Sequence, residues 1–260
     1  MSKQSPTILA LDFDGVICDG MLEYFQSSKR TYQKIWGSET CNIDDLASSF
    51  YRLRPVIEIG WEMPILIRAL VLETPETEMF NNWSNICQKI ISSENLNPKE
   101  ITETLDAVRD EWIRTDLQGW LKLHQFYPGI IDKLSKVLHS STQLYIITTK
   151  EGRFVKQLLE QQGINLSENA IFGKEVKRPK YETLRYILEI KSEIPKNIWF
   201  VEDLLKPLQL VQKAADLEGI SLYLAAWGYN TEAIRDSLAH EPKIKLLSLE
   251  EFTEEFAKWP

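Results

Sequence analysis

A short apolar run that ends in two carboxylates limits this chain more than any other stretch. Ile8 to Leu11 has the length of a buried parallel strand, and Asp12, Asp14 and Gly15 follow it directly in T-I-L-A-L-D-F-D-G-V-I-C-D. Ionised carboxylates are costly inside a core, so the pair belongs just past the strand's carboxyl end. The period of two along a strand turns both side chains to one side, and Gly15 allows a tight bend. A strand running into an Asx-type turn and a pair able to hold a divalent cation both fit these residues by themselves.

Further along, Leu144 to Ile147 and Ile198 to Val201 are two more buried apolar runs, ending in Thr148-Thr149-Lys150 and Glu202-Asp203. Shorter strands are expected at Ala170 to Phe172 and Ser221 to Ala226. Helical spacing fills the gaps: a helix from Ile130 to Leu138 follows the turn Tyr127-Pro128-Gly129, and another over 151–161 carries Phe154, Leu158 and Leu159 and closes at Gly163. A third opens at Tyr181 with Leu184, Ile187 and Leu188, and a fourth runs from about Leu208 to Leu217 and stops at Gly219. Strands alternating with helices predict an α/β fold, a Rossmann-like doubly wound parallel sheet covered on both faces and joined by right-handed crossovers.

One spacing breaks that alternation. Asp14 and Thr148 lie 134 residues apart, far more than one crossover needs, and from Leu22 to His124 the spacing is helical nearly throughout. Phe25, Tyr32, Ile35 and Trp36 share one face; Leu46, Phe50 and Leu53 another; Phe80, Trp83, Cys87, Ile90 and Ile91 a third. Ile101, Leu105, Val108 and Trp112 form a fourth, with Asn97 as its cap and Pro98 as its first helical residue. Residues 20–124 therefore read as an inserted all-helical domain, and 1–19 with 125–260 as the sheet domain it interrupts.

A composition 43% hydrophobic and 26% charged is that of an ordered globular protein, and a net charge of −8 argues against broad attachment to nucleic acid or anionic lipid. Cys18, Cys41 and Cys87 have no metal-ligand spacing and an odd count, which points to a reducing cytoplasm without a disulfide framework. No membrane anchor is expected: the most apolar span, Pro55 to Leu72, carries Glu58, Glu62 and Arg68. Oligomeric state is not legible.

In doubly wound sheets, ligands gather outside the carboxyl ends of the strands. Asp12 and Asp14, Thr148, and Glu202 with Asp203 all belong at that edge, and Lys177, Arg178 and Lys180 precede the helix beside it. Carboxylates from two strands suit Mg²⁺, a hard ion that prefers oxygen. A hydroxyl, a lysine and the backbone N–H groups opening the 151–161 helix suit a tetrahedral anion.

D-F-D-G-V, I-T-T-K, R-P-K-Y-E-T-L and V-E-D-L resemble the four ordered motifs of the haloacid dehalogenase superfamily. Y-P-G-I resembles the phrase by which its phosphoglycolate phosphatase and β-phosphoglucomutase subgroup rejoins the core after a helical cap, and the likeness runs from the first strand to about Gly228. It implies a Mg²⁺-dependent phosphatase acting on a small phosphorylated metabolite through an aspartyl-phosphate, with 20–124 as the cap. By that resemblance Asp12 is the nucleophile, Asp14 the general acid and then base, and Thr148 a donor to the phosphoryl oxygens. Asp12, Asp14 through its backbone carbonyl, Glu202 and Asp203 would hold the metal. Lys180 is the implied phosphate-facing cation, although Arg178 occupies the place before Pro179 where the family usually has lysine. Thr149 and Lys150 fall where the family has phosphate and substrate contacts; a solvated helix start is the other reading of Lys150. A phosphosugar mutase and a catalytically silent binding module on the same fold are the alternatives. Arg52 and Arg54 are weighed as substrate-reading or surface arginines, and Trp227-Gly228-Tyr229 as a site rim or a turn.

Overall fold

The computed structural model describes residues 5–37 and 42–260, so Cys41 lies outside the described residues. The chain divides into two compact units, Met1–Asp19 with Gln125–Pro260, and Gly20–His124. β1 (Ile8–Leu11) and β2 (Cys18–Asp19) are followed by five helices, α1 (Met21–Trp36), α2 (Ala47–Leu53), α3 (Glu62–Val71), α4 (Glu76–Ser93) and α5 (Pro98–Leu121). The chain returns through β3 (Gln125–Phe126), which pairs antiparallel with β2, and continues through α6 (Ile130–Leu138), β4 (Gln143–Ile147), α7 (Gly152–Gln161) and β5 (Ile171–Phe172). Then come α8 (Lys180–Lys191), β6 (Ile198–Glu202), α9 (Leu205–Lys213), β7 (Ser221–Ala225), α10 (Glu232–Ser237), β8 (Ile244–Leu247) and α11 (Leu249–Thr253).

Six strands form a parallel sheet in the order β5-β4-β1-β6-β7-β8, the expected α/β architecture. β1 lies at its centre, where the strand order switches direction, the point at which sheets of this kind bind ligands at their carboxyl ends. Every β1 residue is fully buried, which is why the run is apolar without alternation. Ile8 and Ala10 face the same core as Tyr145, Ile147, Ile198 and Phe200, packed against Leu184 and Ile187 of α8 and Leu208 and Val211 of α9.

Two expectations about these elements change. The fourth helix begins at Leu205 and not at Leu208, because Pro207 sits in the first turn, where a missing N–H costs nothing. Ala214, at φ −82° and ψ 106°, ends it well before Leu217. β8 was not anticipated, since I-K-L-L buries only its two ends. It pairs parallel with β7, whose Tyr223 belongs to an aromatic cluster in which Trp259, itself fully buried, meets Trp199, Tyr223, Phe252 and Phe256. No helix among the described residues is long and apolar enough to cross a membrane.

The helical unit follows its apolar spacing, with Phe25, Tyr32, Phe50, Leu53, Trp83, Ile101, Leu105 and Trp112 buried. Asn97 caps α5 by accepting from the Lys99 N–H at 2.9 Å. Phe80 is an exception, 43% exposed: Met79, in helical phase with Trp83, Ile86 and Ile90, takes the inward place. Arg52 forms an exposed ion pair with Glu76, while Arg54 donates to the Ile57 carbonyl and lies over the Tyr24 ring.

Glu23 is fully buried in the first turns of α1, a costly place for a carboxylate. It accepts two hydrogen bonds from Arg109, at 2.8 and 2.9 Å, and others from Ser27 and Trp120 Nε1. Breaking one side of a buried pair strands the other charge. Arg109→Ala is therefore expected to lower stability by about 2–3 kcal/mol, below the usual penalty because two neutral donors remain on Glu23. Urea unfolding beside Arg109→Ala/Glu23→Gln checks this: the double variant should recover part of the loss.

Candidate active site

The β1 register places Asp12 level with Glu202. Leu11 pairs with Val201, and the Asp12 N–H donates to the Val201 carbonyl at 2.9 Å, so the next residue on each strand is a carboxylate facing the α8 side. α8 packs its Leu184 on that side, and Lys180, one turn earlier, reaches both acids. Its ammonium lies 2.9 Å from Asp12 Oδ1 and donates to Glu202 Oε2 at 2.6 Å. Of the two cations weighed from the sequence, Lys180 is the one at the carboxylates; Arg178 is exposed and lies over the Tyr186 ring at 4.5 Å.

Asp203 completes the group. Donor oxygens of Asp12, Glu202 and Asp203 lie within 4.8 Å of one another, and all three residues are buried. Asp203 packs against the acidic turn with no room to spare. A Cβ on Gly15 would fall 2.1 Å from Asp203 Oδ2, and Gly15 also adopts φ +84°, which only glycine holds cheaply.

The electrostatics follow from burial. Burial pushes the Glu202 carboxyl well above the ordinary carboxylate range, with Asp12 adding to it and Lys180 opposing it. Asp12 is raised in the same way, by burial first and against the pull of Lys180. Burial disfavours the charged form of Lys180, but Asp12 and Glu202 override that and raise its pKa. Three buried carboxylates against one ammonium leave an excess of negative charge. An all-oxygen set with surplus charge fits a hard divalent cation.

Asp14 stands apart from this group. Its two carboxylate oxygens lie 3.0 and 3.3 Å from Lys150 Nζ, and the Lys150 side chain is only 8% exposed. The solvated reading of Lys150 is thus overturned: the half-buried Asp14 carboxylate holds its ammonium in. Thr148, buried at the end of β4, accepts from the Lys150 N–H at 3.1 Å, and Thr149 is exposed.

The first N–H of α7 already has a partner within the chain. The Gly152 N–H donates to Glu175 at 3.1 Å, and the Phe154 and Val155 N–H groups turn back to the Glu151 carbonyl. An acidic side chain from the segment after β5 has taken the place of an outside anion. Sequence reasoning had no role for Glu175, nor for Asn230 and Arg235, which stand behind Asp203. The only signal was a G-Y-N phrase after the last anticipated strand.

Carboxylates from two central strands, a lysine between them and a threonine on the neighbouring strand thus gather at the topological switch point of a parallel sheet, where this class of fold binds its ligands. The family profile for haloacid dehalogenase-like hydrolases matches residues 67–215, and the chain belongs to that family. It is 27% identical over 131 residues to a phosphoglycolate phosphatase of Pseudomonas putida, covering 48% of this chain and 47% of that one. A phosphoglycolate phosphatase of Aliivibrio fischeri is 25% identical over 170 residues, covering 62% and 73%. The chain thus spans about half the length of the first of these relatives. A haloacid dehalogenase-like hydrolase structure from Streptococcus pneumoniae shares the fold, with a TM-score of 0.57, 18% identity, and coverage of 92% and 94%.

Proposed function

We propose that the chain is a Mg²⁺-dependent phosphatase of small phosphorylated metabolites working through an aspartyl-phosphate, with 1–19 and 125–260 as catalytic core and 20–124 as cap domain. The observation that carries this reading is the placement of Asp12: a buried carboxylate at the sheet's switch point, beside Lys180 and within reach of Asp203. Asp12 attacks phosphorus, and the bond from phosphorus to the ester oxygen breaks as Asp14 gives that oxygen its proton. Water then attacks the aspartyl-phosphate and gives a proton back to Asp14, and inorganic phosphate leaves with the Asp12 carboxylate restored.

Lys180 offsets the charge on the phosphoryl oxygens, while Glu202 holds its ammonium in place at 2.6 Å. Thr148 presents its hydroxyl to the same oxygens, and Lys150 holds the Asp14 carboxylate by both oxygens until substrate arrives. Asp12 and Asp203, with Glu202 behind them, would hold Mg²⁺, which supplies charge neutralisation for an incoming phosphate dianion.

The relatives named phosphoglycolate phosphatases make phosphoglycolate the first substrate to test. Phosphate release is expected from phosphoglycolate or another small phosphomonoester in a panel that includes sugar monophosphates, and EDTA should abolish it. No release across the panel would remove the phosphatase reading, and isomerised sugar phosphate without release would replace it with a mutase.

A further inference from the structure

The loop after β7, Ala226-Trp227-Gly228-Tyr229-Asn230, is built around Asp203. The Tyr229 N–H donates to Asp203 Oδ2 at 2.8 Å, and Asn230 Nδ2 donates to the Asp203 carbonyl at 2.9 Å and to the Ala225 carbonyl at 2.8 Å. Arg235 sets the orientation of that amide. Its guanidinium donates to Asn230 Oδ1 at 3.0 Å and to the Asn230 carbonyl at 3.1 Å, so the amide nitrogen must face the two carbonyls. Gly228 leaves room for the contact, since a Cβ there would fall 2.3 Å from Asp203 Cβ. Trp227 Nε1 ties the loop to the acidic turn through the Val16 carbonyl at 3.1 Å.

Tyr229 does something more than close this loop. While its backbone holds Asp203, its phenol donates to Asp19 Oδ1 at 2.8 Å, and the residue is only 6% exposed. Asp19 is the last residue of the sheet unit, directly before Gly20 opens the helical one, and it lies on the short β2 and β3 ladder where the chain leaves and returns. One residue therefore grips a carboxylate of the cation cluster with its main chain and the junction carboxylate with its side chain.

We propose that Tyr229 is a positioning residue that couples divalent-cation binding at Asp203 to the junction at Asp19. The inference rests on the metal reading above. Holding Asp203 in one orientation spares the cation the cost of ordering it, and outer hydrogen bonds of this kind commonly govern metal affinity by about 10- to 100-fold. Because coupling between two sites is reciprocal, a cation on Asp203 also firms the Tyr229 to Asp19 hydrogen bond. The residue touches no reacting group; it acts through Asp203.

Calorimetric titration of the full chain with Mg²⁺, without substrate, tests this on the wild type, Tyr229→Phe, Asp19→Ala and the double variant. Tyr229→Phe keeps the ring and the backbone N–H and removes only the phenol oxygen. We expect about a 10-fold weaker Mg²⁺ affinity in each single variant and no further loss in the double variant, since both remove the same link. A purely structural tyrosine would lower the melting temperature in the absence of metal and leave Mg²⁺ affinity where it was; that result, or additive losses, would overturn the coupling. A wild type that binds no Mg²⁺ would overturn the metal reading and this inference with it, an outcome distinct from wild-type binding that the variants leave unchanged.

Discussion

Asp12→Asn is expected to lower phosphate release by roughly 10⁴- to 10⁶-fold while leaving the fold intact, a loss of the size seen when a nucleophile is removed from machinery that acts as a unit. The amide keeps the shape of the carboxylate, so the contact with Lys180 and the packing of β1 survive, but it cannot form the covalent intermediate. It also removes one of three clustered negative charges, and Glu202 retains its 2.6 Å hydrogen bond from Lys180. The metal-free variant should therefore melt no lower than the wild type. Initial rates at saturating substrate, with thermal unfolding alongside, check both parts; a variant that turns over within tenfold of wild type would remove Asp12 as nucleophile.

Lys180→Met is expected to damage the protein in two ways at once. Removing the ammonium leaves Asp12 and Glu202 buried beside Asp203 with no cation between them, and breaking a buried charge cluster in this way costs on the order of 3–5 kcal/mol. The loss should depend on pH in a definite direction. Glu202 and Asp12 are already raised above their ordinary values, by burial first, and Lys180 is what opposes that rise. A carboxyl raised in the folded state favours folding below its unfolded pKa and loses that contribution as pH rises through its folded pKa. The stability gap between Lys180→Met and wild type should therefore widen from acid to neutral pH. Urea unfolding at a series of pH values without divalent cation reads this, and a gap that narrows with rising pH would contradict the placement of Lys180 as the buried counter-charge. Phosphate release should also fall by several orders of magnitude, since methionine cannot offset phosphoryl charge.

The parts of the molecule legible before any coordinates are those where local pattern and tertiary role agree. β1, β4 and β6 are buried on both faces, so each appears as an unbroken apolar run, and each run ends where a polar residue marks the sheet's edge. The helical unit was legible because its faces repeat at helical spacing; Phe80 escaped because Met79 and Phe80 both stand at helical spacing from Trp83, and packing alone chooses between them. β8 escaped because it buries only two of its four residues and owes its place to pairing with β7 at the sheet's edge. The α7 N-terminus was misjudged for a related reason. Its first N–H is taken by Glu175, a residue 23 positions away that no local pattern connects to it.

What the sequence by itself determined is the order of the elements and the chemistry delivered to one edge, because strand and helix periods and the cost of buried charge act along the chain. Which groups meet was decided only by the tertiary structure. Arg178 and Lys180 are two residues apart and alike in charge, yet the phase of α8 against the sheet sends one to the carboxylates and the other onto Tyr186. Asp12 and Asp14 are likewise two apart and chemically the same. Strand register sets the first beside Glu202, and the bend at Gly15 leaves the second on Lys150, because contacts between distant residues depend on register and packing that no local stretch of chain encodes.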